Sequence, residues 1–172
     1  THTGFDIPIH VDGASGGFVL PFTHPHVKWD FRLKWVASIS TSGHKFGLVY
    51  PGLGWVVWRD KSYLPEEMSF SVNYLGAEVT QVGLNFSRPA AQILGQYYNF
   101  IRLGRKGYHS IHNNSMEIAR YCHKRIGEMH CFQNYSDEVV NPLFVWMMKD
   151  EYNKTAKWTL YDLQASLQQS GW

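Results

Sequence analysis

Charge of one sign is what this 172-residue sequence has little of: sixteen Lys and Arg against fourteen Asp and Glu leave a formal net charge of +2. With the basic residues scattered rather than clustered, neither nucleic acid nor an anionic membrane surface is implied as a partner. Cysteine is nearly absent as well. Cys122 and Cys131 stand outside any CxxC pair or disulfide framework, which points to a reducing compartment and hence to the cytoplasm. No apolar run approaches the roughly 20 residues of a membrane-spanning helix, and the sequence opens with neither a secretory signal pattern nor a methionine. Charged residues make up only 17% while 44% are hydrophobic, enough for a buried core. Aromatic residues reach 16%, seven Trp among them, which suits the packed interior and subunit contacts of a large enzyme. An interior-type strand close to Thr1, and a stop at Trp172 straight after a helical pattern, lead us to expect a segment of a longer protein.

The chain reads as strands first and helix later. Ile7 to Val11 is a short apolar stretch that fits a buried strand, with Asp12 at its carboxyl end and a glycine-rich turn at Gly13 to Gly17. Val36 to Ser40 is a second strand that delivers Gly43-His44-Lys45, and Leu53 to Trp58 a third, close enough to the second to form a hairpin with it. Pro65 to Leu84 lacks a sustained period and reads as irregular, with room for short strands. From Pro89 the spacing of Ile93, Tyr97, Phe100 and Ile101 is that of an amphipathic helix. It continues to Ile126, as one bent helix or as two, with Gly104 and Gly107 as the possible breaks. Met129 to Val140 reads as a loop with one short strand and Pro142 to Met148 as a strand. Thr159 then caps a final helix that runs to about Ser170, with Asp162 three residues later approximating a capping box. The domain boundary falls inside the long helix, dividing residues 1–105 from 106–172.

Two strand ends carry chemistry. An amine such as that of Lys45 can hold an aldehyde cofactor as a Schiff base when nearby positive charge and partial burial lower its proton affinity. A carboxylate such as Asp12 can keep a proton on the ring nitrogen of such a cofactor, which is what a pyridoxal phosphate site requires. His44 could donate to a phosphate or pack on the ring, Ser42 offers a second donor, and Ala14 is small enough for a flat ring to lie against the backbone.

Asp12-Gly13-Ala14-Ser15-Gly16-Gly17, Trp29-Asp30-Phe31-Arg32, Ser42-Gly43-His44-Lys45-Phe46-Gly47 and Asn85-Phe86-Ser87-Arg88-Pro89 together resemble the pyridoxal-phosphate-dependent glutamate decarboxylases. The His-Lys pair fits the wider group of amino-acid decarboxylases, and the other motifs, with Tyr161-Asp162-Leu163, point to the glutamate enzyme. The resemblance implies an α/β chain: part of a fold-type I large domain with a mainly parallel sheet over residues 1–105, then the long-helix continuation and the start of a small C-terminal domain over 106–172. It also implies a carboxy-lyase that takes L-glutamate to 4-aminobutanoate and carbon dioxide. Its cofactor would be pyridoxal 5'-phosphate, and it would be a dimer or hexamer whose site lies near a subunit interface. By matching motif, Lys45 would be the Schiff-base lysine, Asp12 the partner of the ring nitrogen, His44 a phosphate-side contact, and Ser87 a reach to the phosphate of the neighbouring subunit. Other parts of the family's site have no counterpart in these residues, so activity is expected only in a complete oligomeric chain.

Each feature also has an ordinary reading. A lysine after Ser-Gly-His is commonly a solvated loop residue, and an aspartate before glycine commonly a turn residue; only the pair is persuasive. His24-Pro25-His26 and the Cys-His neighbours lack a completing ligand, and no metal is assigned to them. Arg102, Arg105 and Lys106 read as a solvated helix face. Two alternatives to glutamate decarboxylation stay open: a non-catalytic segment acting in subunit association, and a decarboxylase for another, aromatic, amino acid.

Overall fold

Val36-Ala37-Ser38-Ile39 is a run of small and β-branched residues, and all four are buried, the mark of a strand covered on both faces. In the computed structural model, which describes residues 6–74, 76–82 and 88–172, this run is the middle of a three-stranded sheet. β1 (Ile9–Asp12) lies parallel to β2 (Val36–Ser42), and β3 (Gly54–Trp58) lies antiparallel on its other side. β1 differs from the expected buried strand. Ile9 is 46% exposed, because β2 holds the central place and β1 pairs on one side only among the described residues.

Between β1 and β2 run the short helix α1 (Leu20–Thr23) and a loop tied by charge. Arg32 pairs with Asp30 at 2.8 Å and donates to the carbonyls of Pro25 and Val27. The Arg32 guanidinium holds the Asp30 carboxyl below the usual carboxylate range. Arg59, just past β3, donates to the carbonyls of Val36, Phe31 and Leu33. The Trp29-Asp30-Phe31-Arg32 motif therefore organises scaffold rather than site.

Residues 65–84, expected to be irregular, contain an antiparallel pair, β4 (Ser69–Tyr74) and β5 (Ala77–Val82). Tyr74 faces Ala77 in register and Gly76 takes a positive φ of 80°, so backbone geometry at a tight turn makes a hairpin where side-chain alternation gave little sign of one.

The helix α2 (Ala91–Gly127) begins two residues after Pro89. Its backbone leaves helical values at Gly104, with φ 54° and ψ −167°, a conformation open in practice only to glycine. Of the two possibilities, one bent helix or two, the backbone is that of two helical segments meeting at a kink at Gly104. Aromatic side chains on both sides of the kink pack against Phe18, Phe22 and Trp55. Tyr108 stacks on Phe18 and Phe22 at centroid distances of 6.2 and 5.2 Å, and Phe100 meets Trp55 at 6.4 Å. Such pairs contribute about 0.5–1.5 kcal/mol each beyond area burial.

The chain divides into two units, Thr1–His109 and Ser110–Trp172. In the second, β6 (Phe132–Asn134) pairs antiparallel with β7 (Trp146–Met148), followed by α3 (Asp150–Asn153) and α4 (Leu160–Gln169). Buried Phe132 packs on Trp146 at 4.7 Å and Trp158 at 6.2 Å. The strand expected from Pro142 shortens to its last three residues, since Pro142 has no N–H to give a ladder and Leu143 turns back to the Asn141 carbonyl. Thr159 caps α4 as expected. Its Oγ1 accepts from the Asp162 amide at 3.3 Å, and the Asp162 carboxylate accepts from the Thr159 amide at 2.7 Å. No helix among the described residues is long and apolar enough to cross a membrane.

Two outcomes follow from α2. A Cβ at Gly104 would meet nothing within 4 Å, so any loss in Gly104→Ala comes from the backbone alone; urea unfolding should show a loss of about 1–3 kcal/mol. Burial raises the Tyr108 phenol above its ordinary value, so the stability that depends on its neutral form is complete below about pH 10 and is lost as pH rises through the higher folded value. The stability difference between wild type and Tyr108→Phe should accordingly hold steady up to about pH 10 and shrink above it, as thermal unfolding across that range would show.

Candidate active site

The parallel register sets Asp12, the last residue of β1, opposite Ser40, two residues before the end of β2. Parallel strands place binding groups beyond their carboxyl ends, and the two loops that leave this edge are those singled out by the sequence. They are bonded to each other. The Gly13 amide donates to the Ser40 carbonyl at 2.8 Å, and the Ser42 amide donates to the Ala14 carbonyl at 3.2 Å. The turn after β1 closes on itself through Gly17 N–H to Gly13 O at 2.8 Å.

Asp12 is exposed, and one carboxylate oxygen, Oδ1, accepts the Ala14 amide at 3.0 Å. This fixes the carboxylate's direction and leaves Oδ2 as an acceptor facing solvent. Ala14 is half-buried beneath it. His10, two residues earlier and so on the same face of β1, sets its ring nitrogens 2.7 and 3.3 Å from the hydroxyls of Ser38 and Ser40. It braces β1 against β2 through side chains as well as backbone. Sequence reasoning passed over it, although its i−2 relation to Asp12 was the available signal.

Lys45 lies in the turn after β2. Its amide donates to the Ser42 carbonyl at 3.3 Å and its carbonyl accepts from the Leu48 amide at 3.2 Å. The side chain is exposed and makes no ion pair among the described residues, so the amine is available to a carbonyl compound. His44, also exposed, donates Nδ1–H to the Leu53 carbonyl at 3.0 Å. That bond assigns the proton of the neutral ring to Nδ1, so Nε2 can donate to a phosphate only as the imidazolium. Half-buried Ser42 closes β2 and links both loops through its backbone.

Leu48 has a positive φ of 65°, which a branched side chain adopts only under constraint. The constraint comes from α2. Asn99 donates to the Leu48 carbonyl at 2.7 Å, Gln96 and Tyr108 both donate to the Gly47 carbonyl, at 2.8 and 2.9 Å, and Gln92 donates to the Pro51 carbonyl at 3.1 Å. None of Gln92, Gln96 and Asn99 stood out in the sequence. The signal for them was a carboxamide at positions i, i+4 and i+7 of one helix face. A cavity of about 270 Å³ between this stretch and α2, lined by Leu48, Tyr50, Gln92 and Tyr98, includes neither Lys45 nor Asp12.

The structure thus brings together Asp12, Ala14, Ser42, His44 and Lys45 at one sheet edge, while Ser87 lies outside the described residues. A lysine amine, an aimed carboxylate and a small residue beside that carboxylate fit the donor set that a pyridoxal cofactor needs.

Residues 2–149 match the family model described as the pyridoxal-dependent decarboxylase conserved domain. The chain is 52% identical over 170 residues to glutamate decarboxylase beta of Listeria innocua, covering 99% of this chain and 36% of that protein. It is 49% identical to glutamate decarboxylase 5 of Arabidopsis thaliana over 170 residues, covering 99% and 34%. Among solved structures, the glutamate decarboxylase of Lactobacillus brevis superposes with a TM-score of 0.88 at 49% identity, covering 96% of this chain and 37% of that one. The chain therefore spans about a third of the length of the curated relatives it matches. Over that third its α/β fold is that of the pyridoxal-phosphate enzymes, part of the fold-type I large domain that the sequence led us to expect. With the match running through both strand-end motifs and most of the chain, the protein belongs to the pyridoxal-dependent decarboxylase family.

Proposed function

We propose that this chain is the lysine-bearing segment of a glutamate decarboxylase, which converts L-glutamate to 4-aminobutanoate and carbon dioxide. The observation that carries the reading is the pair of backbone hydrogen bonds that tie the turn after Asp12 to the last residues of β2, from which the Lys45 turn leaves, at the carboxyl ends of paired parallel strands. Identity of about one half to proteins named glutamate decarboxylase supports the choice of substrate.

In this reading pyridoxal 5'-phosphate, when bound, supplies a protonated ring that takes up the electron pair left on the α-carbon as carbon dioxide departs. Lys45 Nζ would be the amine that holds the cofactor's aldehyde. Asp12 holds the proton on the ring nitrogen, since a carboxylate beside that nitrogen favours the charged form. Ala14 leaves room for the ring. His44 and Ser42 would hold the phosphate, and Ser87 would reach the phosphate bound to a neighbouring subunit. Residues 1–105 would belong to the large cofactor domain and 106–172 to the helix continuation and the small domain. The working form would be a cytoplasmic homo-oligomer with the site near its interface, and exposure of Asp12, His44 and Lys45 in the isolated chain agrees with a site completed by further chain.

Borohydride reduction of the full-length enzyme loaded with cofactor, followed by peptide mapping, should find the label on Lys45. A label on any other lysine would overturn the assignment. Lys45→Ala should abolish release of carbon dioxide from glutamate, and an assay of glutamate beside tyrosine and tryptophan should show turnover of glutamate alone.

A further inference from the structure

The core of the first unit contains an uncommon choice of residue. Gln96 is fully buried and Tyr108 is 2% exposed, where apolar side chains of the same shape would avoid the desolvation of polar atoms. Gln96 Nε2 donates to the Gly47 carbonyl at 2.8 Å and to Tyr108 Oη at 2.9 Å, and Tyr108 donates to the same carbonyl at 2.9 Å. The other amide atom, Gln96 Oε1, is buried with no hydrogen-bond partner among the described residues. It lies against two glycines: a Cβ on either Gly43 or Gly47 would come within 2.6 Å of it. Those glycines stand two residues before and two after Lys45. One buried amide is thus in contact with both ends of the lysine turn, and Asn99, one helical turn on, holds the strained Leu48 beyond it at 2.7 Å.

We propose that Gln96 and Tyr108, assisted by Asn99, are positioning residues for Lys45: they clamp the Gly43–Leu48 turn from beneath and so fix where its amine stands. The backbone bonds within the turn, Lys45 N–H to Ser42, Leu48 N–H to Lys45 and Val49 N–H to Gly43, are all at 3.2 or 3.3 Å, at the long end for such bonds. Without the clamp Leu48 has reason to leave its left-handed conformation, and the turn relaxes with it. A polar pair retained in a core at the expense of desolvation, with both members directed at the Gly47 carbonyl, acts on the geometry of the turn. The functional part of this inference rests on the assignment of Lys45 made above; the clamping of the turn does not.

The test uses the full-length enzyme and its Tyr108→Phe, Gln96→Leu and Asn99→Ala variants. Tyr108→Phe keeps the ring in the core, and half-buried Asn99 provides a variant that folds whatever Gln96→Leu does. In the cofactor-free proteins, amide hydrogen exchange at Lys45, Leu48 and Val49 should be about five- to tenfold faster than in wild type, the effect of one lost hydrogen bond, with the exchange of β2 unchanged. At full cofactor occupancy the variants should lose amplitude in the visible circular dichroism band of the bound cofactor, which reports its orientation. They should also lower kcat while leaving KM for glutamate near its wild-type value. Unchanged exchange at the three amides would overturn the clamp, and unchanged circular dichroism with changed exchange would overturn its role in orienting Lys45. If borohydride labels another lysine, the assignment of Lys45 fails instead, and the exchange comparison still decides whether the clamp exists.

Discussion

Everything at the candidate site depends on the parallel register of β1 on β2. Because side chains alternate across a strand, a slip of one residue would send Asp12 to the opposite face and leave Lys45 without a carboxylate. Three interactions hold the register in place: the backbone ladder that pairs Asp12 with Ser40, the Gly13 amide on the Ser40 carbonyl, and the His10 ring between the hydroxyls of Ser38 and Ser40. β2 can serve as the reference for both loops because it is buried on both faces and flanked on both sides. β1 has no such cover among the described residues, so its side-chain braces carry more of the task.

The lysine loop meets a different constraint. It must turn sharply after β2, and it does so through a residue, Leu48, in a conformation that L-residues disfavour. Strain of this kind persists where surrounding structure over-determines it. Here the surroundings are side-chain amides and a phenol from α2, all directed at backbone carbonyls between Gly47 and Pro51. The site thus has two supports of unlike character. A sheet register fixes Asp12, and a helix face fixes the turn that bears Lys45.

Much of this was legible in the sequence. The Asp12 and Lys45 motifs stand out because chemistry fixes their residue types, and the Thr159 capping box because its hydrogen bonds are local. The hairpin of β2 and β3 follows from short spacing between two β-rich runs. What was not legible lies in long-range or backbone terms. The β4–β5 pairing depends on a turn at Gly76, the exposure of β1 on the count of its neighbours, and the shortening of β7 on the donor that Pro142 lacks. Gln92, Gln96, Asn99 and Tyr108 escaped because their partners are carbonyls more than forty residues away in sequence, as the 61-residue separation of Tyr108 from Gly47 illustrates. A periodicity that counts apolar residues reads carboxamides on the same face as ordinary helix surface.

The central claim is that the two strand ends serve one cofactor, with Asp12 on its ring nitrogen while Lys45 holds its aldehyde. Nuclear magnetic resonance of the full-length enzyme loaded with pyridoxal phosphate labelled with nitrogen-15 in the ring measures this directly. The account predicts a ring-nitrogen shift in the protonated range for wild type, moving to that of a neutral pyridine in Asp12→Asn. The same shift in both proteins would contradict it.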